Sequence, residues 1–425
     1  MPSKRSRTNS HDLLANGLDT ESERKRKPKK CGSSGDRNHH TNHKTSQVVS
    51  NQSTNSETID PQLNYTPKLF VRCHCRRNDP FDNSTNIWSA AFMPKTSDDN
   101  NGNRFVATCG ANMVCIIDCE KQSDVSPVMA RYIDTNEDEE FVSLAWTVMP
   151  VQSVHTNTTD KSLILAVGGK ATILLMSSLN EFHCYERIGG HSDQINALLF
   201  TSCDLLFSAS YDKTIKLWRI SRPDDNSSTQ LLTTIDMKDN LLSLSYSHKY
   251  ETLFASGYKG LYLWSKPSDL SDLCDSKEQT FSAQMKTKYL MDGLVVLPDD
   301  QDLIAVRIYL SKMITILDLK KMMAEMTKRD NRSEPKAISL LKVTKTKLKS
   351  FDGEYPFIYL SAHKNLLVSG GPNGQIRLYK TTGLRARSHE MTEADKMLEW
   401  PPIENIVKDN QTVIDDKKPV IVNTV

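Results

Sequence analysis

A two-part pattern of short apolar runs recurs along the chain from about residue 68. In each unit, an apolar run that ends near a turn is followed by a second run in which small residues precede another turn. Successive first runs start 46 to 65 residues apart, and they begin at Ile87, Phe141, Ile195, Leu241, Met291 and Pro356. Strand-rich units at such a spacing are typical of propeller blades, so the pattern predicts an all-β chain folded as a β-propeller.

The last part of the chain predicts a seventh, incomplete blade. Six units are readable, and the segment MLEWPP, which begins at Met397, starts what resembles a seventh unit before the sequence ends at Val425. The segment KLFVRCHC at 68–75 is placed to supply the strand that closes the ring. We therefore predict a propeller of the seven-bladed type over 67–425, with an incomplete last blade and an open or poorly closed ring.

The first 66 residues differ from the rest in composition. They carry two basic clusters, KRSR and ERKRKPKK, among polar residues with almost no apolar side chains. Such a segment cannot bury enough surface to offset its ordering entropy, so we predict a disordered basic tail over 1–66. The clusters fit a nuclear import signal or a non-specific contact with nucleic-acid phosphates, and a solvated tail without a partner is the alternative. The basic residues are Lys4, Arg5, Arg7, Arg24, Lys25, Arg26, Lys27, Lys29 and Lys30.

The apolar runs of the chain are too short to cross a membrane. The longest, such as DGLVVLP, fall far short of the roughly 20 residues that a bilayer requires, and the N-terminus is polar. Nine irregularly spaced cysteines fit reduced thiols in an intracellular compartment better than a disulfide framework. We therefore expect a soluble intracellular protein with no membrane partner.

One tight group of potential metal ligands, Cys73, His74 and Cys75, lies in FVRCHCRR. A structural metal site needs about four ligands, usually as two spaced pairs, and no second pair follows. The simpler interpretation is a strand that places two small apolar side chains on one face. The sequence therefore predicts no metal and no cofactor.

The stretch GGHSDQINALLFTSCDLLFSASYDKTIKLW, which ends at Trp218, holds either a catalytic triad or a structural brace. A nucleophilic serine is typically exposed on a strained turn such as Gly-x-Ser-x-Gly, and Ser210 lacks that turn. In a WD40 blade, a histidine before the first strand, a serine on the second, an aspartate in the turn and a tryptophan on the third pair their polar groups. The residues His191, Ser210, Asp212 and Trp218 supply this order, which predicts a structural tetrad in a WD40 β-propeller.

No other catalytic signature is present. The chain has no phosphate-binding glycine loop, no His-Glu-x-x-His and no Cys-x-x-Cys, and GGPNGQ at 370–375 is interpreted as a turn. We therefore predict that the chain is not an enzyme; a hydrolase using the same histidine, serine and aspartate is the alternative. Ala111, Gly169 and Tyr258 occupy the aspartate position in blades one, two and four, so the other blades are expected to rely on packing.

Several stretches closely resemble one family. They include FDNSTNIWSAAFMP, RFVATCGANMVCIIDC, SASYDKTIKLW and YLSAHKNLLVSGGPNGQIRLYK. From about Leu69 to Val425, the chain resembles the WD40 part of the leucine-rich repeat and WD repeat-containing protein 1 family, the origin recognition complex-associated proteins. The family's leucine-rich repeats have no counterpart in residues 1–66. The resemblance implies a nuclear, non-enzymatic chromatin scaffold that binds origin recognition complex subunits, associates with lysine-methylated histone H3, and supports replication initiation and heterochromatin organisation.

The first three blades also resemble those of the Polycomb embryonic ectoderm development protein, which implies an aromatic cage for trimethyl-lysine. Aromatic faces attract a quaternary ammonium through cation–π interaction. By this resemblance the cage candidates are Trp88 and Phe357, with Tyr355 and Phe141 as neighbouring substitutes. The alternative is that Trp88 and Phe357 are packed strand residues. The alternative function is a WD40 adaptor of another nuclear complex, such as a Polycomb-like histone reader or a ubiquitin-ligase substrate receptor.

Overall fold

The computed structural model describes most of the chain between residue 85 and residue 399, with a few residues on either side. The described residues are 71, 73–74, 85–94, 104–121, 126–152, 159–178, 181–224, 227–265, 283–328, 336–351, 356–371, 375–384, 391–399, 407–408 and 411–412. They all belong to the second of two compact units, Asp60–Val425, the first being Met1–Ile59. The predicted tail over 1–66 with its nine basic residues, and the cage candidate Tyr355, lie outside the described residues. In the part of the chain that is described, no helix is long and apolar enough to span a membrane.

The first three blades are four-stranded antiparallel sheets in which each strand pairs with its sequence neighbours. Blade 1 contains β1 (Ser89–Phe92), β2 (Phe105–Gly110), β3 (Met113–Asp118) and β4 (Val128–Ile133). Blade 2 contains β5 (Ser143–Gln152), β6 (Thr159–Gly168), β7 (Ile173–Ser177) and β8 (His183–Ile188). Blade 3 contains β9 (Ile195–Phe200), β10 (Leu205–Ser210), β11 (Thr214–Arg219) and β12 (Gln230–Asp236).

The next three blades keep this pattern, and two of them gain a fifth strand from later in the chain. Blade 4 contains β13 (Leu241–Ser247), β14 (Thr252–Gly257), β15 (Gly260–Ser265) and β16 (Ala283–Lys286), and β20 (Lys336–Ala337) pairs in parallel with β16. Blade 5 contains β17 (Met291–Val296), β18 (Leu303–Ile308), β19 (Met313–Asp318) and β21 (Thr344–Lys349), and β25 (Met391–Thr392) pairs in parallel with β21. Blade 6 contains β22 (Leu360–His363), β23 (Leu366–Gly370), β24 (Ile376–Lys380) and β26 (Lys396–Leu398).

Neighbouring blades pack face to face through apolar side chains. The first strands of successive blades contact one another in the order β1, β5, β9, β13, β17 and β22. One cluster joins blades 2 and 3 through Ile164 and Leu206, and another joins blades 3 and 4, where the rings of Phe207 and Trp264 meet edge to face at 5.9 Å. All six residues of β10 are buried because blades lie on both of its faces. Such strands therefore have continuous apolar and small residues rather than an alternating pattern.

The described residues contain six blades rather than the seven predicted. The propeller prediction itself is confirmed, since the six sheets correspond to the six repeat units. At the position of the predicted seventh blade, the described residues show a two-stranded hairpin of β27 (Val407–Lys408) and β28 (Gln411–Thr412). Of the predicted closing strand at 68–75, residues 71, 73 and 74 are described and lie outside any strand.

An insertion with two helices separates the third and fourth strands of blade 5, which an all-β prediction does not include. The helices are α1 (Leu319–Thr327) and α2 (Leu340–Val343). The Asp318 side chain caps α1 by accepting a hydrogen bond from a backbone amide at 3.0 Å. Leu319 and Val343 are fully buried in a cluster that includes side chains of blades 4 and 5. The insertion therefore covers the junction of these two blades, and it accounts for the long spacing between the fifth and sixth repeat units.

Candidate functional site: polar braces and aromatic side chains

Blade 3 contains a row of four hydrogen-bonded side chains. His191 precedes β9, Asp212 lies in the turn between β10 and β11, and Trp218 lies on β11. Nδ1 of His191 lies 2.7 Å from Oδ2 of Asp212, and Nε2 lies 2.7 Å from Oγ of Ser208. The Trp218 indole N–H donates to the same Ser208 oxygen at 2.8 Å. The serine of this brace is therefore Ser208, and Ser210, the serine predicted from the sequence, is not part of it.

Ser208 and Ser210 are hard to distinguish by sequence pattern, because residues two apart on a strand point to the same face. The pairing of β10 with β9 shifts register between Ala209 and Ser210. The Ser210 hydroxyl donates to the Asp193 carbonyl at 2.9 Å and accepts from the Asp212 backbone amide at 3.1 Å. Ser210 therefore closes the turn that follows β10, while Ser208 joins the histidine to the tryptophan.

The brace has the side chains of a catalytic triad but not the access that a triad needs. Ser208 is fully buried, and its oxygen is engaged by both the Trp218 indole and the His191 ring. Ser210 is also fully buried and bonds to backbone groups. A nucleophilic serine must reach its substrate, so neither serine fits the hydrolase alternative.

The surroundings keep His191 neutral and Asp212 ionised at neutral pH. Burial lowers the pKa of His191, and the nearby Asp212 carboxylate offsets this only in part. Burial by itself raises the pKa of Asp212, but hydrogen bonds from Thr214 and His191 outweigh it and the pKa is lowered. A neutral ring that donates through Nδ1 to Asp212 leaves Nε2 to accept the Ser208 proton, which satisfies every partner in the row.

Blade 1 uses a second histidine in the same way. Nε2 of His74 lies 2.9 Å from Oγ1 of Thr108, and Nδ1 lies 3.2 Å from the Gly110 carbonyl oxygen. Thr108 has the same position on β2 that Ser208 has on β10. His74 therefore anchors the segment that precedes blade 1 to the second strand of that blade. The sequence pattern did not reveal this role, because 34 residues separate His74 from Thr108.

Two cysteines lie beside His74. The sulfur atoms of Cys73 and Cys115 and a ring nitrogen of His74 lie within 4.8 Å of one another, and all three side chains are buried. The interaction with Cys115 lowers the pKa of Cys73 to about 5 although burial opposes the change, and the same interaction raises the pKa of Cys115. These ligand types could hold a thiophilic metal, but both ring nitrogens of His74 already bond to protein groups. The sequence pattern indicated Cys75, which lies outside the described residues, and did not indicate Cys115.

Blades 2 and 4 use carboxylates where blade 3 uses its histidine. In blade 2, Glu139 accepts a hydrogen bond from the Lys170 backbone amide at 2.6 Å. In blade 4, Asp239 accepts from the Lys259 amide and from the Tyr262 hydroxyl, both at 2.8 Å. In each blade a carboxylate before the first strand holds the turn between the second and third strands. Blades 2 and 4 therefore combine the expected apolar packing with polar contacts that were not expected.

Blade 5 contains a buried ion pair. Arg307 on β18 donates through Nη1 to Asp292 on β17, and their side chains are 1% and 0% exposed. The same carboxylate accepts from the Phe357 amide at 2.9 Å, at a residue whose φ is 63°. Burial raises the pKa of Asp292 to about 6, although the Arg307 charge opposes this. The pair therefore ties the first strand of blade 5 to the segment that leads into blade 6.

Among the cage candidates that the structure describes, Trp88, Phe141 and Phe357, no ring contacts another. Trp88 is half-buried, and its indole N–H donates to Glu140 at 2.9 Å. Phe357 is also half-buried. Phe141 is fully buried among side chains of blades 1 and 2, so it cannot contact a ligand and is wrong as a cage candidate. The ring pairs of the described residues do not include Trp88 with Phe357, and Tyr355 lies outside the described residues.

Three other aromatic side chains lie close together. Tyr211 and Tyr258 occupy equivalent turn positions after β10 and β14, and their ring centroids are 6.3 Å apart at an interplanar angle of 68°. Burial raises the pKa of Tyr211 and of Tyr359, and the nearby Tyr258 phenol contributes to both shifts. All three side chains are half-buried. From the sequence, Tyr258 was interpreted only as a replacement for the aspartate of the brace. The equivalent turn positions of Tyr211 and Tyr258 could have indicated that the two rings lie close together.

Six sheets of consecutive antiparallel strands, one of them braced by a His–Asp–Ser–Trp row, define a WD40-repeat β-propeller protein. The resemblance to a WD40-repeat family, which the sequence indicated, is confirmed by this fold. Residues 58–264 match the family described as "Leucine-rich repeat and WD repeat-containing protein 1, WD domain".

Curated relatives carry the same family name. The Xenopus laevis protein is 28% identical over 357 residues, which cover 80% of this chain and 47% of the relative. The Danio rerio protein is 26% identical over 396 residues, which cover 88% of this chain and 50% of the relative. A more distant similarity, 25% over 222 residues, links 50% of this chain to 49% of the Polycomb protein esc of Drosophila melanogaster. The chain spans about half the length of the curated relatives that it matches.

Solved structures with a similar fold include a chain of the Chaetomium thermophilum polycomb repressive complex 2. The TM-score is 0.54 at 14% identity, over 73% of this chain and 69% of that chain. A chain of the ctPRC2 complex with H3K27me3 and H3K27M gives a TM-score of 0.52 at 14% identity, over 70% of this chain and 66% of that chain. At this identity, the similarity shows the propeller fold alone.

Proposed function

We propose that this chain is the WD40 propeller part of a nuclear, non-enzymatic chromatin scaffold. In this proposal it binds subunits of the origin recognition complex, associates with histone H3 methylated on lysine, and supports replication initiation and heterochromatin organisation. The observation that carries the proposal is the match of residues 58–264 to the WD domain of leucine-rich repeat and WD repeat-containing protein 1. Relatives of that name extend the similarity over 80% to 88% of the chain.

A binding role suits the way in which the polar groups of the blades are used. The side chains that resemble a catalytic triad are buried in a brace, so their chemistry stabilises a blade. The carboxylates of blades 2 and 4 hold turns in the same manner. These contacts fix the turns and loops of the blades. Binding residues are concentrated in loops that a rigid scaffold holds in place.

For the methyl-lysine contact, we propose Trp88 and Phe357. A trimethylammonium group binds where aromatic faces are accessible, and both side chains are half-buried rather than sealed in the core. The Glu140 carboxylate fixes the Trp88 indole through a 2.9 Å hydrogen bond and places a negative charge beside it. The Asp292 carboxylate fixes the backbone of Phe357. Both aromatic residues are therefore held in position by a carboxylate.

The basic tail over 1–66 completes the proposal. Its two lysine- and arginine-rich clusters would serve nuclear import or contact nucleic-acid phosphates without sequence preference. Neither role requires the tail to fold on its own.

A second candidate is a Polycomb-like histone reader. The similarity to Polycomb protein esc of Drosophila melanogaster over 50% of this chain favours it. A structure of similar fold also comes from a Polycomb complex that contains H3K27me3. The two candidates share the methyl-lysine contact and differ in the complex that is bound.

The experiment combines two captures with the full chain. Affinity capture from nuclear extract is expected to enrich origin recognition complex subunits over a bead control. Immobilised histone H3 peptides are expected to retain the chain about tenfold better with trimethyl-lysine than without it, since aromatic contacts contribute about 1–2 kcal/mol. Trp88→Ala and Phe357→Ala should remove this preference. Phe92→Ala is the matched control, because Phe92 is an aromatic residue of blade 1 that is 58% exposed.

The outcomes separate the parts of the proposal. Equal retention of methylated and unmodified peptides would contradict the methyl-lysine contact and leave the complex-binding scaffold in place. Enrichment of Polycomb repressive complex 2 subunits without the origin recognition complex would favour the second candidate. Loss of the preference in Phe92→Ala as well would show that Trp88 and Phe357 have no special role.

A further inference from the structure

The helical insertion of blade 5 and the strand that follows it are strongly basic. The described residues 319–328 and 336–351 contain eight lysines and one glutamate, whereas the whole chain has 54 basic and 52 acidic residues. The lysines, which we call the blade 5 lysine surface, are Lys320, Lys321, Lys328, Lys336, Lys342, Lys345, Lys347 and Lys349. Within the described part of a nearly neutral chain, this insertion and the strand after it therefore carry a local excess of positive charge.

Strand β21 places three of these lysines in a row. Lys345, Lys347 and Lys349 alternate with side chains that are buried, so the lysines lie together on the other face of the strand. Leu348 packs into the cluster of blade 6, so the lysine row is on the side of the sheet that faces blade 4. Alternate residues of a regular strand are about 6.6–6.8 Å apart, a spacing that applies to Lys347 and Lys349. Lys345 lies where the pairing of β21 with β19 shifts register.

The helices bring their lysines to the same side of the sheet. The buried side chains of α1 and α2 pack with Leu317 of β19 and with side chains of blade 4. The charges of Lys336 and Lys342 reach Glu325: a hydrogen bond from Lys328 lowers the pKa of that carboxyl, and the other two lysines add to the effect. The strand row and the helical lysines therefore lie on the same side of blade 5, towards its junction with blade 4.

Most of this charge has no carboxylate partner in the described part of the chain. Lys328 pairs with Glu325, and Lys349 pairs with Glu393 at 2.7 Å. The other six lysines form no ion pair with a described carboxylate. Lys320, Lys321 and Lys342 are exposed, and Lys336, Lys345 and Lys347 are half-buried with their stems against the fold. Six of the eight lysines of the surface are thus without an ion-pair partner among the described carboxylates, and one of them, Lys336, donates to the Lys328 carbonyl oxygen.

The amino-acid composition of the blade 5 lysine surface favours one class of macromolecular partner over others. Protein interfaces are depleted in lysine and rely on aromatic and arginine anchors, and single-stranded nucleic acid needs aromatic rings for stacking. In the described residues 319–328 and 336–351, the single aromatic side chain, Phe351, is buried, and all eight basic residues are lysines. Duplex DNA presents one phosphate charge per about 1.7 Å of axis and is bound without sequence preference by lysine charge alone. We propose that the blade 5 lysine surface binds the phosphate backbone of duplex DNA.

This proposal goes beyond the proposed function, since it concerns free DNA and a surface of the folded propeller rather than the histone, the complex or the tail. The test uses the full chain and a fluorescently labelled duplex of about 20 base pairs, with anisotropy titrations from 50 to 200 mM salt. The triple variant Lys342→Gln, Lys345→Gln, Lys347→Gln removes three lysines of the surface. The control variant Lys213→Gln, Lys238→Gln, Lys286→Gln removes three exposed lysines of blades 3 and 4.

The surface variant should weaken binding at least about tenfold at 100 mM salt and lower the slope of log affinity against log salt by about two to three. The control should change affinity by less than about threefold. Both triple variants are also made in a chain whose nine basic tail residues are replaced by glutamine. The difference in DNA affinity between the two triple variants should persist there. Thermal melting verifies that each variant is folded.

Two results would overturn the proposal. Equal weakening by the surface and control variants would mean that only net charge matters. Tighter binding of single-stranded DNA than of the duplex would remove the duplex assignment. Failure of the histone and complex captures would instead contradict the proposed function and would leave the result with free DNA unaffected.

Discussion

Blades 3 and 5 stabilise the same kind of antiparallel sheet with different polar contacts. Blade 3 has a hydrogen-bonded row of side chains, and blade 5 has a buried ion pair. In blade 3, the row from Asp212 through His191 and Ser208 to Trp218 carries a single formal charge at neutral pH, and each polar group in it has a partner. In blade 5, Asp292 and Arg307 place two charges in the core. The single charge of the blade 3 row lies on the half-buried Asp212 and is hydrogen-bonded, whereas each ion of the fully buried pair loses several kcal/mol of solvation energy that the attraction must offset.

The blade 3 brace and the blade 5 ion pair also join different parts of the molecule. The brace joins residues of one blade, from the segment before β9 to β11. The Asp292 carboxylate joins β18 of its own blade and also accepts the Phe357 amide from the segment that leads into blade 6. The brace therefore makes a blade rigid, and the ion pair fixes one blade against the next.

The largest loss of stability is predicted for a variant that removes one half of the ion pair. Arg307→Met leaves the Asp292 carboxylate buried without its cation, and breaking such a pair costs about 3–5 kcal/mol. The free energy of unfolding from urea denaturation at pH 7 should fall by this amount. The double variant Asp292→Asn, Arg307→Met should recover most of the loss, because no uncompensated charge then remains in the core.

A loss of less than about 1 kcal/mol in Arg307→Met would contradict the burial of this pair, since exposed pairs contribute that little. A double variant that is as unstable as the single one would show that Arg307 acts through packing rather than charge.

The next effect separates the two serines of blade 3. Ser208→Ala removes the partner of both the Trp218 indole and the His191 ring, and a buried group left unsatisfied costs about 1–3 kcal/mol. Ser210→Ala removes contacts to backbone groups at a turn, for which about 1 kcal/mol is expected. Urea denaturation of the two variants side by side measures the difference. A larger loss of unfolding free energy in Ser210→Ala would show that Ser210 is the serine of the brace, as the sequence pattern predicted.

The fold was largely predictable because blades repeat. Each repeat unit has the same apolar runs, and the strand positions follow from them, as in β9, β13 and β17, which begin at the residues where the sequence units begin. The insertion was not predictable in the same way, because Leu319 and Val343 are apolar residues whose burial depends on two blades being adjacent. Periodicity within a segment carries no information on such a junction.

The polar contacts were less predictable than the strands. The histidine, aspartate and tryptophan of blade 3 could be identified because the motif has a fixed order. Glu139, Asp239 and Cys115 could not, since each contacts a residue of a different type from the motif and lies 20 to 42 residues from it in sequence. Similarly, the exposure of Trp88 and the complete burial of Phe141 depend on how the blades pack.

The two blades should respond to pH in opposite directions. The pKa of His191 is lowered in the fold, so below about pH 6.5 the unfolded chain binds more protons there and the free energy of unfolding falls with falling pH. The pKa of Asp292 is raised to about 6, so the folded chain takes up a proton before the unfolded chain does, and this contribution to the free energy of unfolding rises as pH falls from about 6 towards 4.

The smallest predicted effect uses this difference. His191→Asn removes the titrating ring, so the stability advantage of the natural chain over this variant should shrink between pH 7.5 and pH 5.5. Asp292→Asn should behave in the opposite sense, with the natural chain gaining relative to the variant over the same interval. Urea denaturation at both pH values checks the pair. Parallel changes in the two variants would show that global charge, and not the separate environments of His191 and Asp292, controls the acid response of the propeller.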